Sequence, residues 1–257
     1  MSIATPRHTP GAPRADVGCR IGARNVSRSF GPVRANVDVT LEVRPGTVHA
    51  VVGENGAGKS TLMRILYGLD RPDDGAVIVD DETVSLSGPR DAIARGIGLV
   101  QQELAIVPEL DLLENLILGH EPRSGPRIDW AAATERATEL ARSVGIEIEW
   151  RTPAVHASIA IQQQVEILRL VYRGADVLIL DEPTAVLAPA QADELLRLLG
   201  SLRDAGRTIV FISHKLDEVV AVADVVTVLR SGRTVARLDR GAFTRDDLAA
   251  HIVGDSS

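Results

Sequence analysis

The chain has a single cysteine, Cys19, no surplus of basic residues (formal net charge -7 at pH 7) and no long apolar run. One cysteine cannot close an internal disulfide and has no companions with which to hold a metal cluster. Cytoplasmic residence fits that scarcity. The acidic balance offers no general attraction to nucleic acid or an anionic membrane, and no nucleic-acid partner is expected. Nowhere does an uncharged apolar stretch approach the roughly 20 residues that a bilayer-spanning helix needs, so any membrane role is expected to come through a partner. The leader MSIATPRHTPGAPRADVG lacks the continuous hydrophobic segment of a secretory signal and reads as a flexible tail over residues 1–18.

What is present is core-forming material. Hydrophobic residues make up 45% of 257 positions, enough for one large domain or a main domain carrying a smaller one. ARNVSRSFGPVRANVDVTLEVRPG reads as short strands separated by turns. VHAVV is a compact strand that runs straight into GENGAGKST, and LMRILYG then has helical spacing. AVIVDDETV reads as a strand and turn, PRDAIARG as a helix start, and GLVQQ as a strand end at Gln102. From about residue 105 to 170 the pattern turns helical, with Gly119, Gly145 and Gly174 near the expected stops. Strand and helix then alternate again through DVLILDEP, QADELLRLLGSLRDAG, TIVFISH and KLDEVVAVAD. VVTVLRSGRTVARL reads as a hairpin and TRDDLAAHIVG as a terminal helix. Apolar strands separated by helices predict a covered, largely parallel sheet, hence an α/β fold.

Within that frame, Gly53, Glu54, Asn55, Gly56, Ala57, Gly58, Lys59 and Ser60 match the eight-residue phosphate-loop pattern without a mismatch. Glycines allow a tight path whose amides face phosphate oxygens, and the following helix adds its N-terminal dipole. Lys59 is expected to reach the terminal phosphates of ATP, Ser60 to help hold Mg2+, and Thr61 to add a neighbouring contact. The bland alternative is a glycine-rich turn with a solvent-facing lysine. Asp181 and Glu182 follow the apolar run at 177–180 and so fall at the carboxyl edge of the sheet, where open α/β sheets bind ligands. Asp181 suits the metal and Glu182 the attacking water; the alternative is a pair of helix-start acids. Gln102 is either a magnesium or water sensor or a polar strand terminus. His214 is either a phosphate or water contact or a structural histidine, and Phe30 either an adenine platform or a buried aromatic.

Taken together, GENGAGKST, ILDEPTA and FISHKLDEV resemble the ATP-binding subunits of ABC transporters over approximately residues 20–254. GIGLVQQELAIVPELDLLENLILG and QQQVEILRLVYRGADVLILDEPTAVL are similar to the ATPases of bacterial simple-sugar and nucleoside importers. The resemblance implies a P-loop NTPase core of the ABC ATPase type over residues 19–254, with a β-rich N-terminal portion and an inserted helical subdomain at 105–170. Residues 255–257 are left as a tail. It places Phe30 at the adenine-stacking position, residues 53–61 in the Walker A loop and Gln102 in the glutamine loop. Asp181 takes the Walker B position, Glu182 that of the catalytic glutamate and His214 that of the switch histidine.

The implied partners are an integral-membrane permease, a second ABC ATPase domain and, indirectly, an external solute-binding protein. The second domain can be a homodimer copy, a heterodimer partner or the other half of a tandem protein. The resemblance implies a cytoplasmic position on the inner face of the membrane. The signature segment departs from the family, since Ala157, Ser158, Ile159, Ala160 and Ile161 stand where Leu-Ser-Gly-Gly-Gln is usual. Ser158 stays available for a phosphate across the interface. Ala160 adds a methyl where backbone and phosphate approach, and Ala188 replaces the aspartate that helps couple two sites. Two other readings stay open, a degenerate regulatory nucleotide-binding module and a soluble ABC ATPase without a transport role.

Overall fold

The structure, a computed structural model, describes residues 20–254; Cys19 and the two expected tails, 1–18 and 255–257, lie outside the described residues. The chain opens with a long antiparallel hairpin, β1 (Ile21–Phe30) and β2 (Val33–Val43), followed by β3 (Val48–Val52) and α1 (Lys59–Leu66). Next come β4 (Asp74–Val79), β5 (Glu82–Val84), α2 (Pro89–Ala94), β6 (Ile97–Val100) and α3 (Leu112–Ile117). A miniature hairpin, β7 (Arg123–Ser124) and β8 (Arg127–Ile128), separates α3 from α4 (Trp130–Ser143) and α5 (Ile159–Tyr172). The remaining elements are β9 (Val177–Asp181), α6 (Pro189–Asp204), β10 (Thr208–Ile212), α7 (Leu216–Val222), β11 (Val225–Arg230), β12 (Arg233–Asp239) and α8 (Arg245–Val253).

Two main sheets result. One is antiparallel in the order β2-β1-β4-β5, and the other runs β12-β11-β3-β10-β9-β6, parallel except for the edge strand β12. The apolar runs of β3, β9 and β10 are continuous because the parallel sheet is covered on both faces. Val48, Ala50, Val52, Leu178, Leu180, Ile209 and Phe211 face a core shared with α3 to α7. The alternate residues Val51, Val177, Ile179, Val210 and Ile212 face a second core that contains α1 and the inner side of the antiparallel sheet. Helix α1 therefore sits between the sheets, against β1, β2 and β9. Burying each such aliphatic side chain contributes about 1.5–3 kcal/mol.

Two expectations need correction. The N-terminal segment is one long hairpin rather than several short strands. Asn25 and Asp38 take φ of 52° and 55° at register shifts within it, so these residues bend the strands without ending them. Strand β6 ends at Val100, two residues before Gln102, which lies in the bend that follows. Gly119, Gly145 and Gly174 each stand two residues past the ends of α3, α4 and α5, with φ of 78°, 76° and 88°.

His49 is the buried titratable group of the parallel sheet. Its Nε2 meets Thr227 Oγ1 at 2.8 Å, and Nδ1 has no partner among the described residues. Burial above all, then the charges of Arg237 and Arg44, depresses its pKa from 6.5 to about 3. Above pH 6.5 the ring is neutral folded or unfolded and the linkage is silent. As pH falls below 6.5 the unfolded chain takes up a proton that the folded chain refuses until about pH 3. Stability from this group is thus lost at about 1.4 kcal/mol per pH unit across that window. Denaturant titration of the parent should show a loss of about 2 kcal/mol between pH 7 and pH 5 that His49→Met lacks; equal slopes in the two proteins would refute the assignment.

At the start of α6 the N-cap is Ala188, with φ -65° and ψ 154°, conformationally right for a cap but without a side-chain acceptor. Only the return bond exists, from the Ala188 amide to Gln191 Oε1 at 3.2 Å. Ala188→Asp should supply the missing acceptor and stabilise the protein by about 1 kcal/mol, seen as a rise of about 2–4 °C in Tm. An unchanged or lower Tm would show that the carboxylate does not reach the helix amides.

Candidate nucleotide site

Strand β3 leaves the middle of the parallel sheet between β10 and β11 and turns straight into α1. Gly58 caps that helix with φ 95°, and a Cβ there would run into the Ala35 carbonyl and the Asn36 amide. Gly53, with φ 153°, has the Leu229 carbonyl equally close. Both positions need glycine for space as well as for dihedrals. Asn55 and Gly56 form the exposed rim of the turn, Ser60 is exposed and Thr61 half-buried at its helical end.

Lys59 is not solvent-facing. It is only 6% exposed, and its Nζ donates to the Gly53 carbonyl at 2.8 Å and the Glu54 carbonyl at 2.9 Å. Burial pushes its pKa down, against the opposing pull of Glu182 and Asp181. An ammonium group is thus held inside the loop it closes, facing two carboxylates.

Those carboxylates arrive because β9 and β10 are parallel neighbours in register, Ile212 opposite Asp181, and β10 also pairs with β3, Ile212 opposite Val51. All three strands deliver their C-terminal ends to one edge. Burial pushes the Asp181 carboxyl up, the hydrogen bond from Ser60 draws it down, and the charge of Glu182 raises it again. Glu182 takes φ 49°, a left-handed conformation unusual for a side chain-bearing residue, and its amide donates to the Ile212 carbonyl at 3.1 Å. Its Oε1 lies 3.3 Å from His214 Nδ1. Phosphate loop, Asp181, Glu182 and His214 are therefore one cluster.

The other candidates stand differently. Gln102 leaves β6 at the same edge, since Val100 pairs with Leu180, but no bond joins its side chain to Asp181 or Glu182 among the described residues. Phe30 is 45% exposed at the end of β1, with the Arg28 guanidinium 4.7 Å from its ring centre, so the buried-aromatic reading fails. Ser158 is apart from the cluster, capping α5 by accepting from the Ile161 amide at 3.3 Å. Ala160 is the second residue of that helix and is absent from the positive-φ residues, so its backbone makes no demand for glycine.

Residue-type reasoning passed over Asn36, 1% exposed on β2, whose Nδ2 donates to the Gly58 carbonyl at 3.1 Å and braces the phosphate loop from the other sheet. It also passed over the polar group behind His214, formed by Thr184, Ser213, Lys215 and Glu218. In β2 Asn36 falls in phase with the polar Asp38, Thr40 and Glu42, so the alternation carried no signal for the first. For the second, the polar residues of DEPT and SHKLDE were the available signal.

The hard oxygen donors Ser60 and Asp181, with one buried ammonium opposite two acids, are a fitting set for a divalent cation that also binds phosphate.

A family model described as ABC transporter matches residues 37–185. The chain is 43% identical over 232 residues to the nucleoside import ATP-binding protein NupA of Lactococcus lactis subsp. cremoris, covering 90% of this chain and 46% of that protein. It is 43% identical over 235 residues to the ribose import ATP-binding protein RbsA 1 of Streptomyces coelicolor, covering 91% of this chain and 46% of that protein. The chain thus spans about half the length of the curated relatives it matches, 46% in both cases. A solved nucleotide-free ATP-binding cassette from an ABC transporter shares the fold with a TM-score of 0.78 at 24% identity, over 92% of this chain and 95% of that one. A bacterial ABC transporter cassette solved as a dimer gives 0.74 at 24% identity, over 87% of this chain and 100% of that one. The matched stretch takes in more than half the chain, including the phosphate loop and both strand-end acids, so the chain belongs to the ABC transporter family and has the fold of its ATP-binding cassettes.

Proposed function

We propose that this chain binds ATP with magnesium and hydrolyses it, and that the turnover powers uptake of a simple sugar or nucleoside through a separate membrane permease. One observation carries the ATPase reading: Lys59 and Ser60 of the loop meet Asp181 at the edge where Glu182 meets His214. The importer reading is supported by the relatives, named for nucleoside and ribose import.

In this reading the loop amides and Lys59 hold the β- and γ-phosphates, and Phe30 offers its free ring face to adenine. Glu182, kept beside His214, orients a water molecule and takes its proton as the water oxygen attacks the γ-phosphorus. The bond to the β-phosphate oxygen breaks, leaving ADP and inorganic phosphate. Positioning and electrostatics do most of this, since no covalent protein intermediate is needed. Magnesium, when bound, would neutralise charge on the phosphate oxygens, and Ser60, Asp181 and Gln102 are the groups to hold it.

Residues 19–254 act as one ATPase domain, with the region 105–170 turned toward the permease. No helix among the described residues is long and apolar enough to cross a membrane, which fits a path formed by another protein. A second cassette would place its own signature serine against this phosphate loop while Ser158 serves the partner's. Loading vesicles that contain the permease with ATP tests the import step. Uptake of ribose or of a nucleoside should require this chain and its ATP hydrolysis; uptake that continues without the chain would contradict the reading.

A further inference from the structure

We infer that Glu218 is a positioning residue for the Glu182–His214 pair, acting through the hydroxyls of Thr184 and Ser213; the inference rests on the ATPase reading above. Glu218 is the third residue of α7. Its Oε2 accepts from Thr184 Oγ1 at 2.5 Å and from Ser213 Oγ at 3.2 Å. Its Oε1 lies 3.2 Å from Lys215 Nζ, and the same ammonium donates to the Thr184 carbonyl at 2.8 Å.

The placement gives these bonds their meaning. Thr184 stands two residues after Glu182, and Ser213 one residue before His214. Both are 2% exposed, so each buried hydroxyl depends on this one carboxylate and its immediate neighbours. A single side chain therefore ties together the turn after β9 and the end of β10, from which the paired acid and histidine project. Ser213 Oγ also accepts from the Lys215 amide at 3.0 Å, which fixes the start of α7 to the same point. Glu182 holds a left-handed φ of 49°, a conformation that persists only where its surroundings over-determine it. The β10 carbonyl at Ile212, the Ala185 amide that donates to the Glu182 carbonyl at 3.1 Å, and Thr184 are restraints around it.

An acid in the first turn of a helix also interacts well with the helix dipole. That role alone requires no bond to a threonine 34 residues away. The hydroxyl contacts are what direct the effect to the reacting geometry rather than to α7.

The test uses Thr184→Val, which keeps shape and removes the donor, together with Glu218→Ala and the conservative Thr184→Ser. Displacing a reacting group by about 1 Å costs on the order of 100-fold in rate. Thr184→Val and Glu218→Ala should lower kcat by about 10- to 100-fold while the KM for ATP stays within about twofold, the pattern of an interaction felt in the transition state. Thr184→Ser should turn over like the parent. A crystal structure of Thr184→Val gives a reading that needs no turnover: the His214 Nδ1 to Glu182 Oε1 distance, 3.3 Å in the parent, should lengthen beyond about 4 Å, the limit of an ion pair. Parental kcat in folded Thr184→Val and Glu218→Ala, a serine variant as impaired as the valine one, or an unchanged distance would each overturn the inference. Glu182→Gln is the control that separates the two levels. Normal turnover by Glu182→Gln removes the ATPase reading itself, whereas an inactive Glu182→Gln beside a fully active Thr184→Val removes only the role of Glu218.

Discussion

Replacing Glu182 with glutamine is expected to cut ATP turnover by roughly 100- to 10,000-fold, the range that a positioned general base contributes. Nucleotide affinity should be kept or should rise. The amide fills the same space, so the link to His214 and the backbone bond to Ile212 need not move. What disappears is the proton acceptor and one of two adjacent negative charges. The charge of Glu182 already pushes the Asp181 carboxyl up, so its removal eases that repulsion and brings less negative charge toward the phosphates. The split between turnover and binding is therefore diagnostic. Single-turnover hydrolysis with excess protein, set beside a direct binding titration, measures both. Turnover near the parental rate would remove Glu182 from the mechanism, and a parallel loss of affinity would mean that it supports the loop instead.

Lys59→Ala should do the reverse, striking binding first. Each charge-assisted hydrogen bond to a phosphate is worth about 1.5–3 kcal/mol, so losing even one weakens Kd on the order of 10- to 100-fold. The effect should exceed that of a surface lysine for a second reason. Nζ also closes the loop on the carbonyls of Gly53 and Glu54, and truncation leaves those acceptors unpaired. Lys59→Arg should not rescue the loss, because a planar fork cannot fill a pocket shaped for a compact ammonium group. Equilibrium binding with a fluorescent ATP analogue, competed with ATP, checks that both variants bind more weakly than the parent. Equal affinities in the three proteins would return the lysine to the solvent-facing role that its burial argues against.

Much of this was legible because the relevant signals are local. Continuous apolar runs such as VLIL in β9 and TIVFI in β10 mark strands covered on both faces, and two separate cores, one on each face, account for them. GENGAGKS carries its conformation in its glycines, and Gly53 and Gly58 have no room for a side chain. Parallel strands leave the acids of β9 and the histidine after β10 at one edge, so an apolar run followed by polar residues was enough to point there.

The rest depended on partners distant in sequence. Asn25 reads as a turn residue but bulges a strand, because the pairing of β1 on both sides overrides its local preference. The hairpin β7–β8 has two residues per strand, too short for any alternation to appear. Phe30 could not be called exposed or buried until the end of β1 was seen to project with Arg28 over its ring. Asn36 and Glu218 act on segments 22 and 34 residues away, and neither residue type announces that reach. Ala160 lies inside a regular helix, where alanine is the preferred residue and the backbone makes no demand for glycine.

The central claim is that the turn between β3 and α1 is a triphosphate nest completed by the acids at the end of β9. Isothermal calorimetry of the folded parent chain with ATP, run with and without magnesium, tests it most directly. Saturable binding that strengthens when magnesium is added is the predicted result; a folded chain that shows no magnesium-dependent affinity for ATP would contradict the account.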